Sequence, residues 1–120
     1  EAWQVSHGRR GVRRAVKLVH ASGRTFTPKE LRRLDREATI LSRVHSKNIV
    51  MFIESGVGRN RDIYWIVMEV LRGEPLNAAM KDRPLPEVEV IKVGLDVCSG
   101  LQRLHSMGFV HRDIKPANIY

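Results

Sequence analysis

His111-Arg112-Asp113-Ile114-Lys115-Pro116-Ala117-Asn118 is the stretch on which the reading of this chain turns. It puts a carboxylate, an ammonium and a carboxamide on one short turn. The carboxylate can accept or orient a hydroxyl proton, and the ammonium can meet a phosphate. The carboxamide oxygen is a hard ligand of the kind Mg2+ takes. Together these groups suit the transfer of a phosphoryl group to a hydroxyl. A histidine near Asp113 could instead suggest a hydrolytic dyad, but no serine or cysteine nucleophile stands at a recognisable spacing.

Upstream of the turn, Glu87 to His105 reads as a long helix. Val90, Ile91, Leu95, Cys98, Leu101 and Leu104 carry its buried side, and Gly108 suits the left-handed residue past its end. A polar, proline-rich link from Lys81 to Pro86 separates it from a short helix at Leu76 to Met80, and Arg72-Gly73-Glu74-Pro75 reads as a connector. Asn48 to Glu54 and Ile63 to Val70 read as strands around the turn-rich segment Ser55 to Asp62.

Thr27-Pro28-Lys29-Glu30 carries three helix-start cues: an N-cap threonine, a proline at the first helical position and a glutamate that closes a capping box. From there Leu31, Leu34, Ala38, Leu41 and Val44 form one apolar stripe, so this helix should run to about Val44. Val12 to Val19 reads as a strand, and Gly8 and Gly11 bracket a basic turn that makes a hairpin with the residues before it. The order is strand, strand, helix, strand, strand, connector, helices, turn. That is an α+β chain with one mostly antiparallel sheet followed by a helical region.

At 120 residues and 42% hydrophobic content the chain has the makings of one small globular domain. It opens on Glu1 and closes on Asn118-Ile119-Tyr120, which reads as the start of a strand, so it is expected to be an internal piece of a longer protein. The single cysteine, Cys98, reads as a small buried helix side chain, with no internal disulfide and no zinc-type spacing. A reducing, cytoplasmic compartment follows as the expectation. The longest apolar run, Ile63 to Met68, is far short of the roughly 20 residues of a membrane span.

Net charge is +8, with Arg9, Arg10, Arg13 and Arg14 in one cluster and Arg32, Arg33 and Arg36 in another. Such clusters serve as nucleic-acid or acidic-substrate surfaces, or as solvated faces whose acidic complement lies elsewhere. No aromatic residues interleave the arginines, so no nucleic-acid partner is expected. Nothing in the sequence indicates an oligomeric state.

Four signals in one order make the chain resemble the eukaryotic-type (Hanks-type) protein kinase family, in its serine/threonine branch. Ala15-Val16-Lys17 resembles the strand signature of the small lobe. Glu37 lies twenty residues on, within a segment similar to the R-E-x-x-x-L run that precedes H-x-N-I-V, with one extra residue between His45 and Asn48. Trp65 to Leu71 resembles the last small-lobe strand entering the hinge, and the octet resembles the catalytic loop. The lysine two places after the aspartate is similar to serine/threonine rather than tyrosine kinases.

The resemblance implies ATP and Mg2+ as cofactors and a protein substrate with a serine or threonine acceptor. It implies that Lys17 holds the α- and β-phosphates, that Glu37 orients Lys17, and that Met68 is the gatekeeper beside the adenine. Backbone groups from Glu69 to Leu71 would meet the adenine edge, with Ala15 above and Tyr120 below it. Tyr120 departs from the more usual leucine. Asp113 would accept or orient the hydroxyl proton, Lys115 would contact the γ-phosphate, and Asn118 would hold Mg2+. His111 would anchor the turn, and Arg112 would receive a phosphate or an acid.

On this resemblance residues 1–71 are the small lobe and hinge, and residues 72–120 the start of the large lobe. The Gly-rich loop is expected just before residue 1 and the D-F-G segment after Tyr120, so the isolated piece is expected to be inactive and poorly stable, with an apolar face of its long helix uncovered. The competing readings are a pseudokinase scaffold or allosteric partner, a small-molecule phosphotransferase, and a basic nucleic-acid module. Intact Lys17, Glu37, Asp113 and Asn118 count against the first, and Arg112 with Lys115-Pro116 against the second.

Overall fold

A computed structural model describes residues 2–7 and 11–120, the first segment through its backbone alone. Gly8, Arg9 and Arg10 of the expected basic turn lie outside the described residues. The chain forms two units, one reaching His45 and resuming over Val50–Val70, the other made of Ser46–Ile49 and Leu71–Tyr120.

The first unit is an antiparallel sheet of β1 (Ala2–His7), β2 (Val12–His20), β3 (Phe52–Val57) and β4 (Ile63–Glu69), in the order β1-β2-β4-β3, with one helix, α1 (Pro28–Ser42). β1 and β2 form the expected hairpin, from Ala2 opposite Lys17 to His7 opposite Val12. β4 lies between β2 and β3, and none of its residues is exposed. That explains a nearly continuous apolar strand where an edge strand would alternate.

β3 starts at Phe52, later than the sequence suggests. The Met51 N–H donates to the Glu69 carboxylate at 2.7 Å, and the Glu69 N–H donates to the Met51 carbonyl at 3.0 Å. The register then shifts between Phe52 and Glu54, a bulge at Ile53. Further along, Gly56 stands opposite Trp65, whose indole lies so close that a Cβ on residue 56 would sit 2.8 Å from Cε2.

α1 begins as its sequence dictates. The Glu30 N–H donates to Thr27 Oγ1 at 3.3 Å, and the Thr27 N–H donates to Glu30 Oε2 at 2.8 Å. Such a cap stabilises a helix by about 1 kcal/mol. Arg24 grips the same carboxylate with two nitrogens, at 2.6 and 2.9 Å, a contact the sequence did not announce. This hydrogen-bonded guanidinium, with the Thr27 backbone and hydroxyl, holds the Glu30 carboxyl down to about 2. The helix ends at Ser42 rather than Val44, because the N–H groups of Arg43 and Val44 turn back onto the Ile40 and Leu41 carbonyls.

Ala21, Phe26 and Tyr64 form the buried centre of this unit, packed by Val19, Leu31, Leu34 and Ile66. Tyr64 is only 1% exposed. Its hydroxyl donates to Asp35 Oδ1 on α1 at 2.9 Å and lies 3.0 Å from Ser55 Oγ on β3. A buried tyrosine oxygen needs such partners, since an unmatched one is costly.

The second unit holds α2 (Leu76–Ala79), α3 (Glu87–Ser106) and a single 3-10 turn, Pro116–Asn118. The Leu76 N–H donates to the Ile119 carbonyl at 2.7 Å, so the start of α2 is tied to the residue after that turn. Asn48 Nδ2 donates to Asp96 Oδ1 at 2.9 Å, and the Asn48 carbonyl lies 3.0 Å from where a Cβ on Gly100 would be. Gly108, at φ +72, closes α3 as the sequence suggests.

The covered side of α3 matches the expected one only at Leu101 and Leu104, and an apolar face of the helix is uncovered, as expected. Val93, Asp96, Val97, Gly100, Leu101 and Leu104 are the buried or half-buried positions, whereas Val90, Ile91, Leu95 and Cys98 are exposed. α3 is apolar on two faces, and the Asn48 segment covers the one that carries Gly100, where a Cβ would press on the Asn48 carbonyl. Cys98, expected to be buried, is therefore an exposed thiol. No helix is long and apolar enough to cross a membrane among the described residues.

Candidate active site

In the second unit the octet folds back on its own aspartate. Lys115 Nζ lies 3.0 Å from Asp113 Oδ1. Asn118 Nδ2 donates both to Asp113 Oδ2 and to the Asp113 backbone carbonyl, each at 2.9 Å. The Asp113 N–H donates to His111 Nδ1 at 3.3 Å, which holds the half-buried imidazole as an acceptor at that nitrogen. Pro116 opens the 3-10 turn that brings Asn118 round, and the Asn118 N–H closes it on the Lys115 carbonyl at 2.8 Å.

Arg112 adopts φ +65, a left-handed conformation that costs a residue with a Cβ about 1–2 kcal/mol. The bonds around Asp113 hold it there. The hydrogen-bonded Lys115 ammonium, then the Asn118 amide, lower the Asp113 carboxyl below its ordinary value. It is ionised throughout the neutral range and remains open to solvent. Leu71 and Tyr120, also in this unit, are exposed.

In the first unit Ala15 on β2 stands opposite Met68 on β4, so two of the expected adenine-side residues are cross-strand neighbours. Lys17 stands opposite Ile66 and is exposed. Glu37 is half-buried on α1, and its Oε1 accepts from Arg33 Nε at 3.1 Å. Among the described residues no carboxylate lies within ion-pair distance of Lys17, so the expected Lys17–Glu37 pair is not formed. Glu69 uses its carboxylate to hold the start of β3.

Sequence reasoning missed the Tyr64, Asp35 and Ser55 triangle. The available signal was a tyrosine inside an apolar strand, which needs a polar partner, together with an aspartate on the α1 face that carries Ala38.

A four-stranded antiparallel sheet with one capped helix, and a helical unit ending in this clasped turn, define a kinase-like fold. The chain belongs to the protein kinase domain family, whose sequence pattern matches residues 2–120. It is 37% identical over 110 residues to the serine/threonine-protein kinase Pkn1 of Myxococcus xanthus, covering 92% of this chain and 15% of that protein. Against the serine/threonine-protein kinase Nek4 of Mus musculus it is 32% identical over 123 residues, covering 100% of this chain and 15% of the relative. The crystal structure of the Mycobacterium tuberculosis PknI kinase domain superposes with a TM-score of 0.80 at 26% identity, over 98% of this chain and 47% of that one. The chain thus spans less than a quarter of the curated relatives and about half of the solved kinase domain.

Proposed function

We propose that these residues are the ATP-site half of a protein serine/threonine kinase that transfers the γ-phosphate of ATP to a serine or threonine hydroxyl. In this reading residues 1–71 are the small lobe and hinge, and residues 72–120 begin the large lobe. The observation that carries it is the turn in which Lys115 and Asn118 both close on Asp113. The kinase names of the relatives support the same reading.

The residues suit the groups the reaction needs. Asn118 spends its NH2 on Asp113, which leaves its carbonyl oxygen for a hard cation such as Mg2+. The apolar cross-strand pair Ala15 and Met68 suits an adenine face, and the backbone of Glu69 to Leu71 and Tyr120 are assigned to the same base by the family resemblance alone. Lys17, exposed on β2, is free to meet the α- and β-phosphates. When bound, Mg2+ supplies charge neutralisation at the phosphates.

In the resting turn the Lys115 contact lowers the Asp113 carboxyl and keeps it ionised, ready to accept a hydrogen bond. Its role is to accept a hydrogen bond from the acceptor hydroxyl and aim it, taking the proton late. Lys115 already stands beside the carboxylate and can exchange that contact for a γ-phosphate oxygen. Glu37 orients Lys17 after leaving Arg33, an exposed helix pair worth about 0.3–0.5 kcal/mol. Arg112 serves as an anion receiver. A reducing, cytoplasmic setting fits a single exposed thiol.

The test uses the full-length protein and radiolabelled γ-phosphate. Asp113→Asn should abolish transfer while ATP binding, measured by calorimetry, persists. Lys17→Met should cut transfer and weaken nucleotide binding. Full turnover in Asp113→Asn would overturn the reading, and label found on tyrosine would overturn the acceptor class.

A further inference from the structure

The outward face of α1 carries a row of cations that no described residue pairs with. At about 100° per residue, Lys29, Arg32, Arg36 and Arg43 fall within an arc of about 60°. The arc points away from the covered stripe of Leu31, Leu34, Ala38 and Leu41. The row is about 21 Å long at about 1.5 Å per residue. All four side chains are exposed, and among the described residues none meets a carboxylate within ion-pair distance.

The arrangement works against the helix. Lys29 with Arg32, and Arg32 with Arg36, are like charges at neighbouring positions, which destabilises a helix. Lys29 also lies in the first turn, where the helix dipole disfavours a cation. The three acids of α1 bring no relief, because each is engaged elsewhere. Glu30 is held by Arg24, Asp35 by Tyr64 and Glu37 by Arg33. A face kept merely for solubility would mix both signs, and this one does not.

We infer that this face of α1 is a docking surface for an acidic polypeptide segment, whose carboxylates neutralise Lys29, Arg32, Arg36 and Arg43. The row lies along α1 and its C-cap residue Arg43 and carries no aromatic platform. That suits carboxylates spaced along a peptide better than stacked bases. The contacts are exposed ion pairs, so binding is moderate and weakens with salt.

The experiment uses the full-length protein and a fluorescein-labelled 15-residue poly-glutamate, read by anisotropy at low and at high salt. Binding is expected, and poly-glutamine of the same length should not bind. Replacing Lys29, Arg32, Arg36 and Arg43 together by Gln should weaken binding by roughly tenfold, the product of several exposed pairs. The same positions changed to carry the other basic residue should retain binding, and Arg13→Gln with Arg14→Gln should leave it unchanged. The Gln variant should unfold at no lower a temperature than the parent, since the repulsion relieved among Lys29, Arg32 and Arg36 offsets the favourable placing of Arg43 at the helix C-terminus.

Unchanged affinity in the Gln variant would overturn the inference, and so would a lower unfolding temperature. Tighter binding of a single-stranded oligonucleotide of equal charge, or of phosphatidylserine vesicles, would overturn the choice of a polypeptide. The readout needs no catalysis, so its failure and a failure of the kinase reading are told apart.

Discussion

Removing the Tyr64 hydroxyl should loosen α1 from its sheet without opening a cavity. Tyr64→Phe keeps the ring in its buried site and deletes the bond to Asp35 at 2.9 Å and the contact to Ser55 at 3.0 Å. A hydrogen bond to a charged group contributes about 1.5–3 kcal/mol, and a neutral one about 0.5–1.5 kcal/mol. Against that sum, Phe no longer buries a hydroxyl, and exposed Asp35 regains water. The net loss should be about 1–2 kcal/mol. That corresponds to a fall of roughly 5–15 °C in the unfolding of a unit this small. The assay pairs thermal unfolding with amide exchange. Amides of α1 from Leu34 to Ala38 should exchange faster, while those of α3 should not change.

A double-mutant cycle with Asp35→Ala isolates the pair and should show a coupling of about 1 kcal/mol. The alkaline side gives a second handle. Burial raises the Tyr64 pKa above its ordinary 10.0. The contribution of the neutral hydroxyl is therefore complete below pH 10 and is lost as pH rises through the higher folded value. An additive cycle, or equal exchange of α1 and α3 in the variant, would refute the brace.

Three further outcomes follow from single side chains. The Glu30 carboxyl should titrate near 2 by NMR; its contribution to the α1 cap is complete above about 4.5 and lost as pH falls toward 2, and a midpoint at the ordinary value would disprove the Arg24 clamp. Gly56→Ala should destabilise by about 1–3 kcal/mol in urea unfolding, because the rigid Trp65 indole must give way; a neutral or stabilising result would show that the ring can move. Lys115→Met should raise the Asp113 titration midpoint toward its ordinary carboxylate value, since the lysine is the largest cause of the shift, and an unmoved midpoint would place the cause in Asn118 alone.

The parts of the fold legible in the sequence are those set by neighbours in the chain. The α1 start was readable from Thr27, Pro28 and Glu30 because a capping box closes within four residues. The hairpin of β1 and β2 is local too. What failed depends on distant backbone. β3 begins late because Glu69 grips Met51, and no pattern within residues 48–54 announces that grip. α3 presents two apolar faces, so periodicity alone misassigned Val90, Ile91, Leu95 and Cys98. Gly100 was the overlooked sign, since a Cβ there would press on the Asn48 carbonyl, but Gly94 in the same helix meets nothing, so the sequence does not say which glycine marks the approach.

The candidate site divides along the same line. Every bond that shapes the Asp113 turn joins residues no more than five apart, so eight letters sufficed to place the carboxylate, the ammonium and the carboxamide together. The left-handed Arg112 lies inside the same stretch. Lys17 and Glu37 are different, since one stands on β2 and the other on α1, and their meeting depends on where the helix lies against the sheet. In this structure Arg33 holds Glu37, in the less favourable order of a basic residue preceding the acid along the helix. A partner worth so little would not hold Glu37 against a stronger one. An unformed pair of that kind does not by itself count against the chemistry expected of Lys17 and Glu37.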